Sequence, residues 1–403
     1  MPLNVYNTLS RRKEPFTASG GEVKLFVCGP TVYDYAHLGH ARTYLAFDMI
    51  TRFLNFSGYK VRYLMNITDV AERIVERAQE LKLDPLEFAH QYEAAFLEDM
   101  RSLGIYNVDQ YERASEYIPQ MIEQVAGLVD NGSAYETETG VYFEVGKFPK
   151  FGKLSRQNHE ELGLKRLELC SSKHNPEDFS LWRKYDQSVL GWESPWGFGR
   201  PGWNIEDTAV SMNHFGETYD VHGGASELIF PHHESEIAQA EALTGKIPFV
   251  RFWLHTGLLN VEGRKMSKSL GNVIQIREAL KRYTPQELRF YFASFHYRQP
   301  VVLSEAGLRR SKRELAAMNK ALRAFKEAKP TGNLRDEKRL QHLLNLSEIG
   351  FRRKMNDDFD TPGALKVVKA LAQNMRRLKL GKEAKRKGEN AFRKMADVFG
   401  IWP

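Results

Sequence analysis

The chain has 403 residues, 42% hydrophobic and 27% charged, with a formal net charge of +7. That length and composition suit a globular protein of two or three domains with ample apolar material for a core. The opening "MPLNVYNTLSRRKEPF" lacks the apolar run of a signal peptide, and no later stretch is long and apolar enough to span a bilayer, so no membrane association is expected. Charge is unevenly divided: from Ser304 onward 25 Lys and Arg face 12 Asp and Glu, while the preceding body is mildly acidic. A basic tail on an acidic body points to a polyanion such as nucleic acid, or else to a solvated helical surface. The two cysteines, Cys28 and Cys170, are enough for one disulfide, but such sparse usage points to a reducing cytoplasm. A lone thiol there is a metal ligand, a nucleophile or plain core.

In chain order, "EVKLFVCG" is a short apolar strand, followed by helical spacing from Ala41 to Asn55. "KVRYLMNIT" is a second buried strand, and Asp69 with Glu72 has the spacing of a capping box opening the next helix. A helical region is predicted from about Pro85 to Asn131, stopped at "DNG". Strand–helix–strand units of this length imply a parallel sheet with helices on both faces. From about 115 to 200 the rhythm breaks into a small β-rich unit, "ETETGVYFEVGKFPKFGKLS", and an irregular stretch ending in the shaped loop "SPWGFGRPGWNIED". The sheet resumes at "GETYDVHGG" and "RFWLHTGLLNVEG". Thr284, Pro285 and Glu287 then form a helix start, the remainder from about 304 is helical, and "DTPGAL" suggests a similar Thr-Pro start.

In "YDYAHLGHARTYLAFDMI", Gly39 sits where a loop enters a helix, whose N-terminus offers unpaired N–H groups and a positive dipole end. A missing side chain there lets a base or phosphate approach, and His37 and His40 can donate hydrogen bonds to phosphate oxygens as charge builds up. A His-x-x-His pair is equally half of a metal site, and isolated histidines are commonly surface or core residues. Far downstream, "GRKMSKSLGN" places Lys265 and Lys268 three apart among small polar residues, just past a strand. Such a loop can bring two cations onto a triphosphate, where attack on the α-phosphate gathers negative charge. The joint occurrence of both stretches weighs against a generic basic loop.

"HLGH" and "KMSKS" resemble the two signature motifs of class I aminoacyl-tRNA synthetases. Together with "FVCGPTVYDYAHLGHAR", "NITDV", "SPWGFGRPGWNIE", "HGGASELIFPHHESEIAQAEA" and "MNDDFDTPGAL", they resemble the cysteinyl-tRNA synthetase family over most of the chain. The resemblance implies an α/β fold with a Rossmann-like parallel-sheet catalytic domain in two halves, 1–115 and 201–303. A connective-peptide insertion at 116–200 separates them, and an all-α basic bundle at 304–403 follows to grip the tRNA backbone. It implies a cytoplasmic, monomeric ligase that joins cysteine to tRNA(Cys) through cysteinyl-adenylate, with Mg2+ accompanying ATP. His37, His40, Lys265 and Lys268 would be catalytic; with Gly39 and Glu227 they would bind ATP, Glu227 through the ribose hydroxyls. Gly29, Thr68 and Trp203 would bind the amino acid.

The same resemblance implies one Zn2+ per chain, held by Cys28, Asp207, His232 and Glu236. His232 and Glu236 are four apart and so share a helical face, and these side chains suit zinc. Zinc there selects cysteine over serine by binding its sulfur. The family's usual "His-Ile-Glu-Cys" reads Asn204-Ile205-Glu206-Asp207 here, which trades a sulfur for a harder oxygen. Ala71-Glu72 stands where an acidic pair is usual, and Cys170 matches no motif and is read as structural. The family's small anticodon-reading domain is not expected after "FGIWP". Two rivals remain: a related cysteine ligase of the mycothiol type that acylates a small amine, and a catalytically silent RNA-binding relative. The basic tail argues against the first and the two intact motifs against the second.

Overall fold

The computed structural model describes residues 2–157, 172–261, 264–266 and 271–402. A hairpin of β1 (Asn4–Asn7) and β2 (Arg12–Pro15) precedes β3 (Val23–Val27), α1 (Leu38–Phe56) and β4 (Val61–Ile67). Next come α2 (Glu72–Leu81), α3 (Pro85–Ser102), β5 (Gln110–Arg113) and α4 (Ile118–Asp130). Strands β6 (Ala134–Glu136), β7 (Gly140–Phe143), β8 (Phe179–Lys184) and β9 (Gly199–Pro201) then form an antiparallel sheet of their own. After α5 (Glu206–Phe215), β10 (Tyr219–Ala225), α6 (Glu234–Thr244) and β11 (Val250–Thr256) complete the main sheet.

That sheet is wholly parallel, in the order β11-β10-β3-β4-β5. Its central strands are nearly continuous apolar runs because helices cover both faces: Leu25, Phe26, Val27, Leu64 and Met65 are all buried. The strand order reverses between β3 and β10, and a ligand crevice forms where the carboxyl ends of strands diverge at such a point. Beyond it, β12 (Leu259–Val261) pairs with β13 (Arg264–Lys265) and β14 (Val301–Leu303), with α7 (Ile276–Leu280) and α8 (Pro285–Ala293) between. Four long helices follow: α9 (Glu305–Glu327), α10 (Leu334–Met355), α11 (Thr361–Met375) and α12 (Lys382–Phe399). No helix among the described residues is long and apolar enough to cross a membrane.

The helical tail is tied to the main parallel sheet through α1. Asp48, fully buried on that helix, accepts from Arg52 Nε at 2.7 Å and from Arg289 Nη2. Arg289 also donates to the carbonyls of Phe399 (2.8 Å) and Leu103 (3.0 Å), so one guanidinium ties α1, α8 and the end of α12 together. Burial alone would raise the Asp48 carboxyl, but the charges of Arg289 and Arg52 outweigh it and hold it below the usual range.

Three local expectations give way. Asp69 does not cap α2, whose N-cap is Ala71; its carboxylate accepts from the backbone and hydroxyl of Ser115 instead. The helical region from Pro85 to Asn131 is broken by β5, because Glu112 and its neighbours pair with β4 at the sheet edge. The Thr-Pro start near 361 is displaced by one residue, with Asp360 accepting from Gly363 as the N-cap. Thr284 caps α8 in the expected box with Glu287.

Candidate active site and metal centre

The crevice at the strand reversal is a cleft of about 210 Å³ lined by Cys28, Gly29, His37, Gly39, His40, Trp203, Glu227 and Met266 among others. It opens beside a second cleft of about 530 Å³ that shares Trp203 and Glu227. Glu227 sits in the turn Ser226–Leu228 just past β10, and Trp203, 47% exposed, stacks on the His232 ring at 4.2 Å between centroids.

His37 is the N-cap of α1, and the two histidines form a reciprocal capping box. Nδ1 of His37 accepts from the amides of Gly39 (3.1 Å) and His40 (3.4 Å), and Nδ1 of His40 accepts from the His37 amide (3.2 Å). The rings stack at 3.9 Å. With both Nδ1 atoms accepting, each neutral ring carries its hydrogen on Nε2 and remains a donor without being charged. Gly39 is required beneath them: a Cβ there would lie 2.8 Å from the folded-back His37 ring and 3.1 Å from the Met266 methyl. Met266 thus brings the second motif against the first. Lys265 lies in β13, paired with Asn260, while Lys268 and Cys170 fall outside the described residues.

On the facing side, β3 runs into Cys28, a free buried thiol, and Gly29. Gly29 N donates to Asn66 Oδ1 at 2.6 Å, and a Cβ on Gly29 would sit 1.7 Å from the Asn66 carbonyl oxygen, so only glycine fits. Asp207 comes from the first turn of α5, while His232 and Glu236 flank the start of α6. His232 Nε2 is the common centre: it lies 3.7 Å from Cys28 Sγ, 3.3 Å from Asp207 Oδ2 and 3.4 Å from Glu236 Oε1.

All four proposed metal ligands are buried, and neither oxygen of Glu236 has a hydrogen-bond partner among the described residues. Burial, then the charges of Asp207 and Glu236, push the Cys28 thiol well up; burial, then Asp207 and Glu206, do the same to Glu236. Such a cluster is stable only when protonated or gathered around a cation. The ligand atoms of Asp207, His232 and Glu236 lie within 4.8 Å of one another, as do those of Cys28, His232 and His233. Tetrahedral zinc, with bonds of about 2.0–2.3 Å, spaces its ligand atoms about 3.3–3.7 Å apart. The three distances from His232 Nε2 fall in that range, and the side chains are of the types zinc takes, while the close triads hold Cys28 and the two carboxylates separately.

Thr68 sits beneath this centre rather than on the cleft wall: it is buried, and its hydroxyl donates to Glu206 Oε1 at 2.6 Å. Sequence reasoning passed over a second layer. Asn66 donates to Asp207 Oδ1 at 2.6 Å, and Asn204 Oδ1 faces His232 Nδ1 at 2.9 Å. A buried histidine chain runs behind, with His233 Nδ1 2.8 Å from His255 Nε2 and His255 Nδ1 2.8 Å from Thr8 Oγ1. Burial, then Arg11, push His255 down to about 3. The one available signal was a histidine near the end of a strand, in "FWLHTG".

A parallel sheet with its crevice at this reversal, a histidine-capped helix at the mouth and a helical tail are what the resemblance to class I tRNA synthetases implies, and the family matches place the chain in that class. Residues 16–313 match the family described as tRNA synthetases class I (C) catalytic domain, and 350–402 match the DALR domain. The fold is shared with Mycobacterium tuberculosis methionyl-tRNA synthetase in complex with methionyl-adenylate (TM-score 0.68, 16% identity, covering 95% of this chain and 90% of that one). Curated relatives are the cysteine–tRNA ligases of Thermococcus onnurineus (45% identity, 100% of this chain and 87% of the relative) and Methanococcus maripaludis (42%, 99% and 86%). The chain belongs to the cysteine–tRNA ligase family.

Proposed function

We propose that the protein activates L-cysteine with ATP and transfers it to the 3′ end of tRNA(Cys). The cysteine carboxylate attacks the ATP α-phosphorus, the bond to the β-phosphate oxygen breaks, and pyrophosphate leaves. The terminal ribose hydroxyl of tRNA then attacks the adenylate carbonyl and AMP departs. Charge gathers on phosphate oxygens in the first step, where the Nε2–H groups of His37 and His40 serve as fixed donors at the positive end of the α1 dipole, its first amides being taken up by the capping box and Ile274. Lys265 and Lys268 supply two cations from the second motif, and Mg2+ enters with the triphosphate. Glu227 takes the ATP ribose hydroxyls, since a carboxylate accepts well from a diol. Gly29 leaves its backbone open to the amino acid, Thr68 supports that pocket from below, and Trp203 closes over it. No side chain need act as nucleophile, because positioning and electrostatics carry both steps.

Cys28, Asp207, His232 and Glu236 are the residues that would hold zinc, whose chemistry there is to bind the substrate's sulfur and so reject serine. The observation that carries this reading is the convergence of three acceptors on His232 Nε2, at 3.3–3.7 Å, beside the donor-lined cleft. In domain terms, 1–115 and 201–303 form the catalytic halves, 116–200 the insertion and 304–403 the tRNA-gripping bundle, acting as a monomer in the cytoplasm. Amino-acid-dependent pyrophosphate exchange across all twenty amino acids, followed by transfer to tRNA or to small amines, tests it. Exchange with cysteine alone and transfer to tRNA are expected; exchange with serine, or transfer only to an amine, would overturn it.

A further inference from the structure

Two buried amides stand directly behind the proposed ligands. Asn204 presents Oδ1 to Nδ1 of His232 at 2.9 Å. A carbonyl oxygen there requires the hydrogen of His232 to sit on Nδ1, which leaves Nε2 as a lone pair. Nε2 is the atom that faces Cys28, Asp207 and Glu236. Asn204 is itself held, because its backbone carbonyl accepts from the Gln239 amide. Asn66, fully buried at the end of β4, uses both ends of its side chain. Its Oδ1 accepts from the Gly29 amide next to Cys28, and its Nδ2 donates to Asp207 Oδ1, each at 2.6 Å. Asp207 is thereby left with Oδ2 to offer, 3.3 Å from His232 Nε2. The result is a cluster of acceptors in which His232 and Asp207 have their other atom occupied and Glu236 has neither oxygen satisfied among the described residues, which a cation or a shared proton relieves.

We propose that Asn66 and Asn204 are positioning residues that convert this pocket into a one-sulfur, oxygen-rich site for a zinc-like divalent ion. Asn204 sets the tautomer of His232, and Asn66 restricts Asp207 to a single oxygen while pinning the Cys28–Gly29 turn. An amide donor suits a carboxylate, which has a second oxygen to give up; a cysteine at 207 would have none. The proposal rests on the reading that Cys28, Asp207, His232 and Glu236 hold the metal.

The test uses the full chain, stripped by a chelator and titrated with Zn2+ against a chromophoric competitor and with Co2+ by visible absorption. Asn204→Leu, which keeps size and removes the acceptor, and Asn66→Ala are expected to weaken Zn2+ binding about 10–100-fold. Asn204→Asp, which keeps an acceptor, should bind within a few-fold of wild type. The Co2+ bands of Asn66→Ala should change in energy and intensity as Asp207 becomes free to use both oxygens. In an Asp207→Cys background, Asn66→Ala should cost clearly less than it does in wild type, because its partner oxygen is gone. Circular dichroism of the metal-free proteins separates misfolding from lost positioning; if Asn66→Ala does not fold, the two Asn204 variants decide. Wild-type affinity and unchanged Co2+ spectra in Asn204→Leu and a folded Asn66→Ala would overturn the proposal. Failure of the wild-type chain to bind either ion would instead overturn the metal reading beneath it.

Discussion

On one side of the cleft, His37 and His40 offer donors; on the other, Cys28, Asp207, His232 and Glu236 crowd acceptors around one point. The first wall is local: three residues of separation suffice, and two histidines cap one helix and fix each other's tautomer. It needs no net charge to receive a polyanion. The second wall is assembled from the end of β3, the start of α5 and the start of α6, and its buried acids are costly without a counter-charge. A donor wall is finished when it folds, whereas an acceptor wall needs a proton or a cation. The difference separates the two halves of the proposed chemistry, phosphate handling and sulfur selection.

Metal removal should break the second wall alone. After chelation, cysteine-dependent pyrophosphate exchange is expected to fall to background while ATP still quenches or shifts the tryptophan signal; full exchange without metal would contradict this. The next largest effect concerns the support of the first wall. Asp48→Asn leaves Arg289 buried without its counter-charge and should cost about 3–5 kcal/mol in denaturant unfolding at pH 7. The Asp48 carboxyl is held below its unfolded value, so its contribution is present at neutral pH and lost as pH falls. The gap between wild type and variant should therefore narrow below about pH 4; a gap that stays constant into acid would count against the ion pair.

His40→Ala removes a donor and one arm of the capping box, and should lower kcat for adenylate formation about 10²–10³-fold with metal content unchanged. A loss of bound zinc in that variant would show that the walls are not independent. Smallest of the four, Trp203→Ala removes the ring stacked on His232 and should cost about 0.5–1.5 kcal/mol, read as a raised KM for cysteine with kcat little altered.

The same contrast governs what could be read from the sequence. Strands such as "KLFV" and "VRYLMNI" and the Thr284 cap declare themselves within a few residues, because apolar period and hydroxyl-to-amide capping are local physics. Asp69 misled because its spacing to Glu72 suits a cap, yet Ser115 lies across the fold and takes the carboxylate. Glu112 and its neighbours, short and polar, become a strand only through pairing at the sheet edge. The metal-ligand candidates were named through resemblance, and their convergence needed the fold. Asn66 and Asn204 stayed hidden, since their partners Asp207 and His232 are distant in sequence and an isolated asparagine carries no signal.

X-ray absorption at the zinc edge, on purified protein with and without L-cysteine, tests the central claim most directly. The account predicts one sulfur among nitrogen and oxygen neighbours in the free protein, from Cys28, and a second sulfur when cysteine is added. A free protein with no sulfur neighbour, or a spectrum unmoved by cysteine, would contradict it.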